Sequence, residues 1–197
     1  MRPLVYYVAV SLDGFIAAPD GDFSAFLAEG DHMAAILRDY PDALPGPALK
    51  ALGIEPPRSR FDTVVMGWNT YAVGLPVGML DPYPHLETVV FSHDPDARMA
   101  ALPSREAAGR VEFSGDDPAS RVRALKAGSS TTGIWLCGGG TLAAALADEI
   151  DNLILKVNPL VLGTGIPLFG GGMPPGRFDL TASTAYESGV VISEYAR

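Results

Sequence analysis

The sequence predicts an α/β fold, with a mostly parallel central sheet flanked by helices and an antiparallel C-terminal hairpin at one edge. Three observations lead there. Short apolar, β-rich runs recur along the chain, several of them stopped by glycine and followed by a helix-compatible stretch. The 197 residues, 48% hydrophobic and 19% charged, suit one domain spanning 1–197 better than two small ones. Past Leu153 the alternation gives way to two strand-like runs joined at Ser188-Gly189, the pattern of a hairpin.

In chain order, Pro3–Val10 reads as a buried strand closed by the turn Ser11-Leu12-Asp13-Gly14. Phe26–Tyr40 carries Phe26, Leu27, Met33, Ile36 and Leu37 at helical spacing and predicts a helix interrupted at Gly30. The proline-rich 41–57 stretch reads as a surface excursion with a helical turn at Ala48–Leu52. Phe61–Met66 predicts a strand ending at Gly67, Asn69–Ala72 a short helix, Glu87–Phe91 and Val111–Phe113 two further strands. Pro118–Ala127 predicts a helix with Asp116 or Asp117 at its start. Gly133–Cys137 predicts a strand that runs through three glycines into a helix over Thr141–Asp148. Leu153–Val157 and Leu160–Leu162 read as strands, 163–176 as a Gly/Pro loop, and Phe178–Glu187 with Val190–Ala196 as the hairpin.

Composition removes several function classes. A formal net charge of -9, with only 14 Lys and Arg, repels a nucleic-acid backbone and an anionic membrane surface alike. One cysteine, Cys137, rules out an intrachain disulfide framework and a multi-cysteine metal site, and suits a reducing compartment. The apolar run after Arg2 is short and β-branched, so it reads as a first strand rather than a leader, and no window is apolar enough for a membrane span. The cytoplasm is the expected location.

Two strand–glycine–helix junctions are where chemistry is expected. One is Thr63–Thr70, with Gly67 at the strand end and Trp68, Asn69 and Thr70 opening the helix; the other is Ile134–Thr141, with Gly138, Gly139 and Gly140 ahead of Thr141. Such junctions lie at the carboxyl edge of a parallel sheet, where open α/β folds bind ligands. Unpaired first-turn amides and the positive end of the helix dipole favour an anion, and glycine lets a diphosphate approach the backbone. Two such ends side by side can hold both phosphates of a dinucleotide without lysine. Neither junction carries a G-x-G-x-x-G or G-K-[ST] signature. His32, His85 and His93 lack metal-ligand spacing, so no metal site is expected, and each histidine is read as solvated. There is no H-x-E with P-C-x-x-C and no G-x-S-x-G. Cys137 reads as a small buried hydrophobe.

Four segments in order resemble the dihydrofolate-reductase-like superfamily: Ser11–Ala17, Val65–Tyr71, Gly138–Leu142 and Asn158–Phe169. Within it they are most similar to the reductase domain of the bifunctional riboflavin-biosynthesis deaminase/reductase and its stand-alone bacterial relatives. The resemblance implies a reductase using NADPH, with Thr70 and Gly138–Thr141 at the diphosphate. It also implies Ala9 and Ile16 beside the nicotinamide, and Ser92 and His93 near the adenine ribose and its 2′-phosphate. The relatives usually carry an arginine just after the glycine of the second segment, to grip that phosphate; here it is Trp68, which leaves NADH open, with His93 or Arg98 as candidates to compensate. Where riboflavin reductases often place a carboxylate before the glycine pair, this chain has Cys137.

The reductase reading needs a proton donor near the accepting heteroatom of a small pteridine-, pyrimidine- or carbonyl/imine-type substrate. Asp13 is the candidate, with capping of its own turn as the plainer reading, and Asp31 is a weaker one. A second reading keeps the fold as a ligand-binding or regulatory protein without reductase activity, and a third has a flavin or nucleotide on the same helix ends. The late apolar strands and the hairpin offer an edge that favours a homodimer.

Overall fold

The computed structural model describes residues 1–106, 108–173 and 175–197. Six parallel strands form most of one eight-stranded sheet: β1 (Leu4–Val10), β3 (Phe61–Gly67), β4 (Glu87–Phe91), β5 (Val111–Ser114), β6 (Gly133–Gly138) and β7 (Asn152–Val157). The hairpin β9 (Asp179–Ala185) and β10 (Val191–Ala196) completes it, in the order β5-β4-β3-β6-β1-β7-β10-β9. The parallel part and the antiparallel edge follow the sequence expectation. Strand β1 lies between β6 and β7, which is why it is a continuous apolar run without an outward polar face.

Helices α1 (His32–Asp39), α2 (Gly46–Leu52), α3 (Trp68–Ala72), α4 (Pro95–Ala100), α5 (Pro118–Lys126) and α6 (Gly140–Ala145) flank the sheet. Alternate strand residues supply two cores. One holds Val5, Phe61, Val64, Met66, Trp135, Ile154 and Ile192 together with Ile36 of α1 and Tyr71 of α3. The other holds Leu4, Tyr6, Val65, Val89 and Leu136 with Val122 of α5 and Leu142 and Ala143 of α6. Each large side chain so buried contributes roughly 1.5–3 kcal/mol. Asp117 caps α5 by accepting from Ser120 N at 2.9 Å, with Pro118 in the first turn, as the sequence suggests.

Arg2, the residue that lent the N-terminal run its leader-like look, is buried. Its guanidinium pairs with Asp62 and donates to Thr63 Oγ1 at 2.9 Å and to the Thr132 carbonyl at 3.0 Å. Among the described residues no helix is long and apolar enough to cross a membrane.

Four expectations need correction. Residues 26–31 are not helical, because Leu27 N donates to Asn158 Oδ1 (3.1 Å) rather than into a helix. Residues 160–162 are not a strand; Leu160 O accepts from Leu12 N (2.7 Å) in a loop-to-loop contact. Helix α6 stops at Ala145 rather than Asp148. Two short strands, β2 (Phe15–Ala17) and β8 (Ile166–Pro167), pair antiparallel and clamp the Ser11–Gly14 turn to the 163–173 loop. Pro174, within the predicted Gly/Pro loop, lies outside the described residues.

Candidate functional site

The two glycine junctions come together. Strands β3 and β6 are hydrogen-bonded neighbours with Met66 opposite Gly138, so α3 and α6 start side by side. A β-carbon built on Gly139 would stand 3.6 Å from Thr70 Oγ1, and one on Gly138 would stand 3.9 Å from it. Gly138 (φ 149°) and Gly139 (φ 97°) hold backbone conformations that side-chain-bearing residues rarely adopt. Among the described residues neither helix has a side-chain cap: Gly67 precedes α3 and Gly139 precedes α6, and neither has a side chain to accept from the first-turn amides. The space a β-carbon would take at Gly67 is open, and Asn69 and Thr141 are exposed in the two first turns.

Gly140 does a different job from its neighbours. It is buried, and a β-carbon there would lie 2.1 Å from the Pro167 carbonyl oxygen, while Gly170 N donates to its own carbonyl at 2.7 Å. The third glycine therefore lets the 167–170 loop seat on α6, and the pair Gly138-Gly139 is left facing Thr70.

At the outer end, Trp68 is half-buried against Tyr71 and Phe113, with ring centroids 5.7 and 6.3 Å away. The Arg98 guanidinium of α4 stands 4.7 Å from its ring centroid. Helix α4 is aimed by a chain of short contacts: Ser92 Oγ accepts from Asp94 N at 3.2 Å, and Asp94 caps the helix by accepting from Ala97 N at 3.0 Å. His93 is exposed beside this turn.

At the inner end, Ala9, next to last in β1, has Lys156 of β7 as its register partner, and Ile16 sits half-buried in β2. Cys137 borders the same sheet face. Burial pushes its thiol up to about 12, against a weaker opposing pull from the Tyr83 hydroxyl 3.8 Å away, so it remains a protonated apolar filler, as read from the sequence.

Asp13 is engaged elsewhere. Its exposed carboxylate accepts from Ser11 Oγ (2.6 Å), Gly163 N (2.7 Å) and Leu162 N (3.1 Å), tying the first turn to the 160–163 loop. The Ser11 hydroxyl first, then the two amides, hold it below the usual carboxylate range against modest desolvation. A carboxylate kept ionised by three donors is the opposite of what a proton donor requires, which leaves the capping reading of Asp13 as the supported one. Asp31 is likewise committed, accepting from Glu187 N (2.7 Å) and Ser188 N (3.0 Å) of the hairpin turn.

The sequence reading passed over two inner residues. His32, expected to be solvated, is fully buried; Nδ1 lies 3.0 Å from Ser188 Oγ, and among the described residues Nε2 has no hydrogen-bond partner. Desolvation lowers its pKa from the ordinary value, reinforced by the charge of Lys156 and partly offset by the Leu27 carbonyl and Asp31. Lys156 is half-buried, and its Nζ donates to the Leu27 carbonyl at 3.3 Å. A lysine in a strand gives no pattern signal, and His32 was hidden by the expectation that polar residues of a surface helix face water. A cavity of about 270 Å³ between α1 and the hairpin, lined by Arg38, Tyr40, Tyr186 and Glu194 among others, shares no residue with the glycine junctions. No cluster of three or more metal-ligating side chains occurs among the described residues.

The chain is 31% identical over 173 residues to the uncharacterized protein YwjB of Bacillus subtilis (strain 168), spanning 85% of this chain and 83% of that one. It is 24% identical over 198 residues to the uncharacterized protein YyaP of the same organism, spanning 96% and 92%. The crystal structure of a Shewanella sp. PV-4 protein assigned provisionally to riboflavin biosynthesis superposes with a TM-score of 0.69 at 21% identity, over 100% of this chain and 99% of that one. A diaminohydroxyphosphoribosylaminopyrimidine deaminase/5-amino-6-(5-phosphoribosylamino)uracil reductase from Thermotoga maritima superposes with a TM-score of 0.62 at 13% identity, over 99% of this chain and 56% of that one. These superpositions agree with the dihydrofolate-reductase-like fold expected from the motifs. The profile of the RibD C-terminal domain matches residues 2–192. The chain belongs to the RibD C-terminal domain family.

Proposed function

We propose that this chain is a reductase that delivers hydride from NADPH to the carbon of a small C=O or C=N compound of pteridine or pyrimidine type. The observation that carries the reading is the convergence of Gly138-Gly139 with Thr70 beneath two helix starts that no side chain caps, in a chain of this family. That cleft fits a diphosphate: free amides, a hydroxyl, and glycines whose side chains would fill it. Gly67, Asn69, Thr70, Gly138, Gly139 and Thr141 border the diphosphate; Ala9 and Ile16 flank the nicotinamide, which supplies the hydride chemistry when bound.

The NADPH preference rests on Arg98. Stacked on Trp68 and fixed by the Ser92–Asp94 turn, its guanidinium supplies the charge that the missing arginine would have brought to the 2′-phosphate. Ser92 and His93 border the same ribose. The reading also places the protein in the cytoplasm as a homodimer paired through β9, an edge strand exposed at every residue.

Titrating the protein with NADPH and NADH while following tryptophan emission, then assaying NADPH oxidation against aldehydes, quinones and oxidised pterins, tests this. Quenching by NADPH at lower concentration than NADH, with turnover of at least one acceptor, is the expected result. Absence of quenching removes the dinucleotide, and quenching without turnover favours a binding protein over a reductase.

A further inference from the structure

Lysine is scarce here: Lys50, Lys126 and Lys156 are the only three. Lys50 is exposed on α2, and Lys126 is spoken for, with Asp151 Oδ2 at 2.7 Å and the Glu149 carbonyl at 2.8 Å. Lys156 stands apart. It is half-buried at the carboxyl end of β7, and among the described residues no carboxylate is paired with it. Among the described residues, the hydrogen bond its ammonium makes is the 3.3 Å contact to the Leu27 carbonyl. Lysine is rarely withdrawn from water without a carboxylate partner, because desolvating an ammonium is costly.

Its place in the sheet says what the charge faces. In β1 the side chains of Val5 and Tyr7 point to the face covered by α1, so Ala9 does too, and register sets Lys156 beside Ala9 with Ile192 of β10 on its other side. Cys137 opens onto the same face from β6. The unpaired ammonium therefore belongs to a strand position next to the strand end assigned above to the nicotinamide, on the sheet face that α1 covers. The other ionisable groups around it are buried or committed: His32 from α1 is buried, with desolvation lowering its pKa, Tyr186 packs on His32 with ring centroids 6.3 Å apart, and Asp31 is held by the hairpin amides.

We propose that Lys156 is the catalytic group that meets the reducible end of the substrate, polarising its C=O or C=N heteroatom and giving it a proton. Hydride arriving at the carbon from the reduced nicotinamide breaks the π bond, and the electron pair collects on the heteroatom. An Nζ–H proton moves to that atom, leaving a neutral amine that solvent reprotonates. Burial lowers the Lys156 pKa from its ordinary value, which eases that release. This assignment rests on the reductase reading and fills the role that Asp13 does not suit.

Trace acetylation with acetic anhydride over a pH series, read by mass spectrometry at the three lysines, tests it without turnover. Lys156 is expected to titrate below Lys50. NADP⁺ is expected to slow its acetylation several-fold, while 2′-phospho-ADP-ribose, which lacks the nicotinamide ring, binds but leaves Lys156 reactive. If both ligands bind and neither, or both equally, alter Lys156, the proposal falls and the reductase reading survives; if neither ligand binds, the reading falls and takes the proposal with it. K156R keeps a cation and a donor for Leu27 but no releasable proton. It is expected to retain NADPH affinity and Tm while losing about 100-fold or more in turnover of whichever acceptor the panel reveals. K156R turning over at the wild-type rate with the wild-type pH profile overturns the proton-donor role.

Discussion

The Thr70 hydroxyl lies 3.6 Å from where a β-carbon on Gly139 would be, so the starts of α3 and α6 meet at these two residues. Gly139→Ala places a methyl group there and forces a side-chain-bearing residue into φ 97°. The backbone cost is about 1–2 kcal/mol, visible as a lower Tm. The methyl group also narrows the cleft, so a loss of NADPH affinity beyond about tenfold is expected in fluorescence titration, more than the stability loss alone accounts for. Wild-type affinity in a folded Gly139→Ala protein would remove the diphosphate from this cleft.

In the proposed function, Arg98 is the residue on which cofactor choice turns. Arg98→Ala removes the guanidinium 4.7 Å above the Trp68 ring while leaving the Asp94 cap of α4 intact. NADPH binding is expected to weaken by about tenfold or more, the worth of one charge-assisted contact, with NADH nearly unaffected. Equal losses for both cofactors would show that Arg98 supports the adenine end without reading its phosphate.

Asp13 is expected to behave as a structural carboxylate. Its folded pKa lies below the unfolded value, so its contribution is present above that value, about 3.9, and is lost as pH falls through the folded one. Asp13→Asn should therefore lower the Tm at neutral pH, with the gap closing in acid, and the pH profile of turnover should keep its shape. A shift of that profile in Asp13→Asn would restore Asp13 as the proton donor.

The outer strand β9 carries neither lysine nor proline, the usual guards of an open edge, and Leu180 on it is 58% exposed. Sedimentation equilibrium is expected to return twice the chain mass for the wild type. Leu180→Lys should move the equilibrium toward single chains without lowering NADPH affinity. A wild type that sediments as a single chain at high concentration would end the homodimer proposal.

What could be read from the sequence follows from how local each feature is. Strands β1, β3, β4 and β6 were legible because burial on both faces leaves continuous apolar runs. The β2–β8 clamp was not, since it pairs Phe15 with Pro167, 152 positions apart by their numbers, and neither segment is long enough to show a period. Phe26 and Leu27 mimicked a helix face because periodicity cannot reveal that the Leu27 amide is claimed by Asn158. In the site, both glycine junctions were visible as motifs. That Gly140 packs against Pro167, and that Lys156 lacks a carboxylate, exist only in three dimensions.

The central position of β1 has a consequence for how the molecule is made. Synthesised ahead of its partners, Leu4–Val10 cannot be sandwiched until Gly133–Gly138 and Asn152–Val157 have both left the ribosome. At about 5–20 residues per second, that first segment waits on the order of ten seconds with its apolar side chains unshielded. The nascent chain is thus most exposed to chaperone capture and to self-association before the centre of its sheet is closed.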